Sequence, residues 1–307
     1  MFISTKIVGH SLHLNLGASR VKIAIVGAGV VGSATGLGLE SKGHSVVFTD
    51  TDPLTLANLK EKGHNASRSI EEAIRTSEII MVCVPTPTSG GRFILSHVLD
   101  ACAQIGTSLR DSSSYKVVVI RSTVIPFSTR SAIIPILEKE SQKKAGPDFG
   151  VCMNPEFLRD ATPLEDFILP DRILIGELDQ RSGHVLERLY ENFGRMILHC
   201  SLEEAELAKY LANGFLATKI SYFNEALKIC RKLGANPEIV SLAVSMDRRI
   251  GSYGTVGGKP FDGKCLPKDT EAFLSFVADL GERLEILSAA ERVNKQEKVL
   301  VKVLKLP

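Results

Sequence analysis

The chemistry in this sequence gathers first around one cysteine. Cys265 lies in the run Gly263-Lys264-Cys265-Leu266-Pro267-Lys268-Asp269. Pro267 is placed to be the first residue of a helix, where its missing N–H costs nothing, and Asp269 suits the positive end of that helix. Cys265 would then sit just outside a helix N-terminus, with Lys264 and Lys268 beside it. These influences are expected to favour the thiolate, the form that attacks electrophilic carbon. The other five cysteines, Cys83, Cys102, Cys152, Cys200 and Cys230, fall in or at the ends of apolar strands and helices. They read as small core residues.

Other polar residues have spacings that suit a site. Lys209 and Asn213 are four apart in a helical pattern and share one face. From spacing alone that face lines a site or meets solvent equally well. Glu156 and Asp160 lie in Asn154-Pro155-Glu156-Phe157-Leu158-Arg159-Asp160, directly after a strand. Carboxylates there could act as acid or base, although a merely polar loop is the commoner case. Arg121-Ser122-Thr123 and Val84-Pro85-Thr86-Pro87 follow two more strands. In open α/β sheets ligands collect at such strand ends, so one shared cleft is expected.

A cofactor turn is also present. Gly27-Ala28-Gly29-Val30-Val31-Gly32 stands between the strand VKIAIV and a helical pattern. Its glycines permit a tight turn and let a pyrophosphate rest on the helix N-terminus. The next strand, SVVFTD, ends at Asp50, and no arginine follows in Thr51-Asp52-Pro53. An acid there accepts hydrogen bonds from ribose hydroxyls and repels a 2′-phosphate, so NAD is expected rather than NADP.

The elements that must hold these residues form an α/β pattern. Strands are predicted at Lys22–Val26, Ser45–Asp50, Glu78–Val84, Lys116–Ile120, Gly150–Met153, Arg172–Ile175 and Met196–Cys200, with helices such as Thr55–Lys62 and Leu95–Leu109 between them. That alternation predicts parallel βαβ units. Gln142–Pro147 reads as an exposed loop. From Leu202 to Leu233 one proline-free helix is predicted, with Leu207, Leu211, Phe215, Ile220, Phe223 and Leu227 as its apolar positions and Gly234 as its stop. Such a helix packs on the first domain or on a second subunit. Another helix is predicted from about Leu284 to Leu304. The fold class is therefore α/β: an N-terminal extension at 1–20, a Rossmann-type dinucleotide-binding domain at 21–200, and a mainly helical domain at 201–307 built on the long helix.

Composition narrows the function. The 307 residues are 44% hydrophobic and 23% charged, with a net charge of +2. That balance offers no electrostatic case for nucleic acid. No apolar run suits a signal peptide or a membrane span. The six cysteines form no CxxC pair, so no metal site and no disulfide scaffold is expected, and a reducing cytoplasmic setting fits.

Taken in order, GAGVVG, CVPTP, RSTV, NPEFLRD, AKYLAN and GKCLPKD resemble the motifs of the UDP-glucose/GDP-mannose dehydrogenase family, over about residues 21–306. The resemblance implies two successive NAD-dependent oxidations of the terminal CH2OH of a nucleotide sugar, giving a uronic acid. It implies that Cys265 attacks the intermediate aldehyde, and that the thiohemiacetal loses a second hydride to leave a thioester. Lys209 and Asn213 would stabilise the oxyanion, Asp269 with a water would assist proton removal, and Glu156 would activate water for hydrolysis with Thr123 holding it. The implied cofactor set is Gly27, Gly29, Val30, Val31, Gly32, Asp50, Pro85, Thr86, Pro87, Thr123 and Lys268. The implied substrate set is Glu156, Phe157, Leu158, Asp160, Lys209, Asn213, Arg249, Phe261 and Gly263. A homodimer across the long helix is implied as well.

Three departures from the family pattern stand out. Asp160 replaces the usual glutamate, Asp262 interrupts a glycine-rich loop in Pro260-Phe261-Asp262-Gly263, and the family's C-terminal nucleotide-binding domain would begin where this sequence stops, at Pro307. Two alternatives therefore stay open: a related dehydrogenase acting on a smaller alcohol, and an NAD-binding protein without turnover.

Overall fold

The computed structural model describes residues 20–304; the predicted extension, apart from its last residue, lies outside them. Ten strands are present among the described residues: β1 Lys22–Val26, β2 Ser45–Thr49, β3 Ala66–Ser67, β4 Ile79–Val82, β5 Thr88–Ser89, β6 Arg92–Phe93, β7 Val117–Ile120, β8 Gly150–Met153, β9 Ile173–Glu177 and β10 Ile197–Ser201. Eight of them form one sheet in the order β10-β9-β8-β7-β4-β1-β2-β3. β1, β2, β3, β4, β7 and β8 are mutually parallel, with β2 and β4 on opposite sides of β1. That reversal of direction at β1 is the switch point at which dinucleotides bind.

One part of the predicted parallel pattern does not hold. β9 runs antiparallel to β8, and β10 follows β9. Apolar runs define strands but not their direction. A parallel return needs a crossover, whereas antiparallel neighbours connect at one edge. β9 therefore starts at the sheet edge where β8 stops, which keeps Asn154–Arg172 at the edge carrying the other strand-end motifs.

Eleven α-helices are seen among the described residues: α1 Val30–Ser41, α2 Pro53–Glu61, α3 Ile70–Thr76, α4 Ser96–Arg110, α5 Ile134–Ser141, α6 Pro163–Ile168, α7 Gln180–Glu187, α8 Leu202–Leu233, α9 Pro237–Ser245, α10 Leu266–Asp279 and α11 Glu285–Leu304. Alternate strand residues feed separate cores on the two sheet faces. Ala24, Val26, Ile80, Val82, Val118 and Ile120 pack with Cys102 and Ile105 of α4 and Leu137 of α5. Ile23, Ile25, Ile79, Met81, Val117 and Val119 pack with Leu39 of α1, Leu59 of α2 and Phe167 of α6. Runs buried on both faces explain why these strands read as continuous apolar segments.

α8 has the predicted bounds. Ser201 and Glu204 form a reciprocal capping box at its start, and Gly234, at φ 69°, ends it. The helix packs on β8, β9 and β10 and also on α10 and α11. Its apolar positions divide. Phe223 and Leu227 are buried, whereas Leu207, Leu211 and Phe215 are exposed and form a stripe with Tyr222, Ile229 and Leu233. The buried face carries polar groups, Glu206, Lys209 and Asn213, among small residues.

At the opposite sheet edge His44 is buried; its Nδ1 accepts from the Val21 N–H at 3.4 Å, and its Nε2 donates to the Leu189 carbonyl at 3.3 Å. Burial holds the ring below its ordinary value of 6.5. The unfolded chain takes up a proton there that the native state refuses, so stability falls as pH drops below about 6.5. Thermal unfolding followed from pH 7.5 to about 5.5 is expected to show that fall, reduced in His44→Gln; an equal slope in the variant would assign it to other groups.

Candidate active site

The glycine turn comes first. Gly27, at φ 93°, lies so close to the next strand end that a Cβ would stand 2.9 Å from the Cys83 carbonyl, and one on Gly32 would stand 1.8 Å from the Gly27 oxygen. Both positions require glycine. A Cβ on Gly29 would meet no atom within 4 Å, which leaves open space before the helix it caps. Val30 and Val31 begin α1, so their N–H groups have no intrahelical acceptor. Asp50 follows β2, and its carboxylate accepts from the Ala28 N–H at 2.6 Å and the Asp52 N–H at 2.9 Å. Strand, turn, open helix N-terminus and acid together fit a dinucleotide, with ribose hydroxyls at Asp50 and pyrophosphate at Val30 and Val31.

The neighbouring strand ends close in. Thr86 is buried between exposed Pro85 and Pro87, and the Pro87 carbonyl accepts from the Ile94 N–H at 2.9 Å, which anchors the hairpin β5–β6. Arg121, after β7, is buried and donates to Thr35 Oγ1 and to the Asn154 carbonyl and Oδ1 at 2.6–3.1 Å. Tyr190 donates to the same Asn154 Oδ1 at 2.5 Å. Thr123 is half-buried, and its hydroxyl makes no hydrogen bond among the described residues.

Beside this edge lies a cleft of about 910 Å³. Phe157, Leu158, Asp160, Lys209, Asn213 and Cys265 line it, together with Arg121, Asn154 and Tyr190. Of the two placements that helical spacing allows, the fold takes the buried one: Lys209 and Asn213 are 3% and 7% exposed and line this cleft. Behind them sit two carboxylates. Lys209 Nζ donates to Glu156 Oε1 at 2.9 Å and to the Glu156 carbonyl at 2.7 Å, leaving one of its three protons free. Glu156 Oε2 accepts from the Leu158 N–H at 2.6 Å. Burial alone would raise the Glu156 pKa, but the Lys209 charge and hydrogen bond, the Leu158 amide and Arg121 outweigh it, and the group stays below its ordinary value. Asp269, 2% exposed, accepts from Asn213 Nδ2 at 2.7 Å and from Lys268 Nζ at 2.5 Å. Lys268, about a quarter exposed, keeps two of its three protons free beyond that bond.

Cys265 is the N-cap of α10, with Pro267 in the second helical position. The expected thiolate is not what this setting favours. Burial, then Glu156 and Asp160, push the thiol up to about 11, against the opposing charge of Lys209. Asp160 Oδ1 lies 3.9 Å from the sulfur: the fold brings in carboxylates remote in sequence, while the neighbouring Lys268 pairs with Asp269. Reaction of the free protein with iodoacetamide is thus expected to rise about tenfold per pH unit from 7 to 9. A plateau reached by pH 8 would contradict this assignment.

Three more of the expected substrate positions are not among the residues that line the cleft. Phe261 is buried against α8, α10 and α11, with its carbonyl accepting from Asn294 Nδ2 at 3.0 Å. Gly263, at φ 82°, serves by its lack of a side chain, since a Cβ would stand 3.0 Å from Asp160 Oδ2. Arg249 is exposed and pairs with its near neighbour Asp247 at 2.6 Å. Asp262 does line the cleft and lies 3.5 Å from Lys298. Sequence reasoning did not single out Asn154, Tyr190 or Glu206; Asn154 heads a noted strand-end motif, but Tyr190 carries no local signal.

A dinucleotide cradle opening beside a half-buried cysteine and a buried array of lysine and carboxylates belongs to the NAD-dependent dehydrogenases as a class. The comparisons narrow the class. The model for the UDP-glucose/GDP-mannose dehydrogenase family, NAD binding domain, matches residues 56–194, and that for the family's central domain matches residues 203–296. A model for ketopantoate reductase PanE/ApbA matches residues 23–88. GDP-mannose 6-dehydrogenase of Pseudomonas putida is 36% identical over 300 residues, which cover 90% of this chain and 68% of the relative. UDP-glucose 6-dehydrogenase TuaD of Bacillus subtilis is 34% identical, covering 91% of this chain and 64% of the relative. A UDP-glucose dehydrogenase structure from Pyrobaculum islandicum superposes with a TM-score of 0.87 at 32% identity, covering 95% of this chain and 73% of that one. The chain belongs to the UDP-glucose/GDP-mannose dehydrogenase family, and NAD is its cofactor.

Proposed function

We propose that this chain oxidises the primary alcohol of a nucleotide sugar to the carboxylate through a covalent Cys265 intermediate. The observation that carries the reading is the cleft itself: Cys265, Lys209 and Asn213 line it together, with the buried carboxylates Glu156 and Asp269 bonded to the latter two. NAD, when bound, accepts hydride in each of two oxidations. Lys209 and Asn213 each keep an N–H for the substrate oxygen, as an oxyanion needs in a water-poor site. Asp269 takes the proton released as the alcohol is oxidised, through a water.

The Cys265 sulfur adds to the aldehyde carbon as its thiol proton passes to the aldehyde oxygen, giving a thiohemiacetal. That carbon again carries both a hydroxyl and a C–H, so hydride can leave while Asp269 takes the hydroxyl proton through a water. Water then displaces the Cys265 thiol from the resulting thioester to leave the carboxylate. Glu156, held ionised by Lys209, is in the state a general base requires, and Thr123 holds the attacking water. Phe157, Leu158 and Asp160 border the sugar. The exposed stripe of α8 is covered in a homodimer, a reading supported by Leu207, Leu211 and Phe215 standing in a row outside the fold. Six unpaired thiols suit a reducing compartment such as the cytoplasm. The domain boundary falls near residues 200–201, where β10 gives way to α8.

The test is NADH formation across a panel that includes GDP-mannose, UDP-glucose and compact alcohols. Turnover confined to sugar nucleotides, with a carboxylate product, is expected. Turnover confined to compact alcohols would replace the substrate assigned here.

A further inference from the structure

Glu206 is the most deeply buried carboxylate of α8, with no measurable exposure, and no cation pairs with it among the described residues. It stands one helical turn before Lys209, on the face that carries Lys209 and Asn213. Its partners are two backbone amides from another segment: Oε2 accepts from the Phe127 N–H at 2.6 Å, and Oε1 from the Thr129 N–H at 2.8 Å. Phe127 has φ 73°, a left-handed conformation that disfavours a bulky residue, and its ring is exposed. Local bonds shape the turn itself, from the Ser128 N–H to the Ile125 carbonyl at 3.0 Å and from the Ser131 N–H to the Phe127 carbonyl at 2.9 Å, and the Glu206 carboxylate, gripping the Phe127 and Thr129 amides, supplies its buried tie to α8.

The segment so held begins at the cofactor edge. Its first residues are fixed by Arg121, bonded to Thr35 and Asn154, and by the Ser122 hydroxyl, which donates to the Val84 carbonyl at 2.7 Å. Its last residues are fixed by Glu206. Thr123 lies between these anchors without a hydrogen bond of its own among the described residues. The setting of Thr123 relative to Lys209 is thus fixed from one end by the sheet and from the other by α8.

We infer that Glu206 is a positioning residue, whose buried carboxylate ties the loop bearing Thr123 to the helix face bearing Lys209 and Asn213. It touches neither cofactor nor substrate. The inference rests on the role proposed above for Thr123. A neutral amide cannot accept from both N–H groups as the carboxylate does, so Glu206→Gln releases one anchor and lets the turn relax.

The test is a double-mutant cycle of Glu206→Gln and Thr123→Ala, with amide hydrogen exchange run on the same proteins. Each single substitution is expected to lower kcat about tenfold with NAD affinity within about twofold, and the double variant to be no slower than the slower single. Glu203→Gln breaks the exposed pair with Arg130 that also joins these two segments. It serves as the control and is expected to leave kcat within about twofold. Exchange across residues 122–130 is expected to quicken about tenfold in Glu206→Gln, with no change around Cys265. Losses that multiply in the double variant would overturn the inference, as would unchanged exchange at 122–130, whether or not a substrate has been found. A silent Thr123→Ala beside a slow Glu206→Gln would instead remove the Thr123 role and the inference with it. If Glu206→Gln is not recovered folded, Glu206→Asp, which keeps the charge and shortens the reach, enters the same cycle.

Discussion

Cys265→Ser is expected to lower formation of the carboxylate product by more than about 10³-fold while leaving NAD affinity unchanged. The sulfur stands at the α10 N-cap and lines the cleft, whereas the residues of the glycine turn are not among its lining residues. A serine hydroxyl in its place is a far poorer nucleophile and leaving group, so the chain stops after the first oxidation. The first hydride does not need the sulfur, and a single burst of NADH can survive the substitution. Titration of NAD, followed by detection of aldehyde and acid in the same reaction, checks both halves. Wild-type rates of acid formation in the variant would remove the covalent step.

Lys209→Ala is expected to cost both turnover and stability. In the native chain Lys209 is 3% exposed and supplies two hydrogen bonds and a counter-charge to Glu156, itself 6% exposed. Truncation leaves a buried carboxylate unpaired, a change worth about 3–5 kcal/mol. The pH dependence gives a further check. With Lys209 present, Glu156 is held below its ordinary value of 4.5, so its contribution to stability is present above that pH and lost as the pH falls through the native value. With Lys209 gone, burial dominates and raises the Glu156 pKa, so the carboxyl prefers its proton. The variant is therefore less impaired at pH 5 than at pH 8. Chemical unfolding at these two values checks the sign; equal destabilisation at both would mean that Glu156 is not the group left stranded.

These residues also show what the sequence made legible. The long helix was readable to its ends, because a proline-free run closed by Gly234 has few other conformations open to it. The cofactor turn was readable because Gly27 and Gly32 answer to purely local sterics: each glycine stands where a Cβ would strike backbone. The tilt of the cysteine toward its protonated form was not readable. Lys264 and Lys268 are its neighbours in sequence, whereas Glu156 and Asp160 reach it only through the fold. The spacing of Lys209 and Asn213 defined a shared face, but burial of that face depends on β8, β9 and α10, which no helical period encodes. The reversal at β9 was hidden because strand periodicity carries no direction. The hairpin β5–β6, in contrast, had a signal: Gly90 and Gly91 take φ 57° and 76°, as a two-residue hairpin turn demands. Arg249 came from the family resemblance alone, and its place on the surface beside Asp247 depends on a loop whose path has no periodic signature.

The central claim, oxidation of one carbon twice through a cysteine, is tested most directly by counting. Purified protein, excess NAD and a limiting amount of the sugar nucleotide that turns over are carried to completion, and NADH formed is divided by sugar consumed. Two NADH per sugar, with the uronic acid as sole product, is the predicted result. One NADH per sugar with free aldehyde accumulating would contradict the claim and leave an ordinary alcohol dehydrogenase in its place.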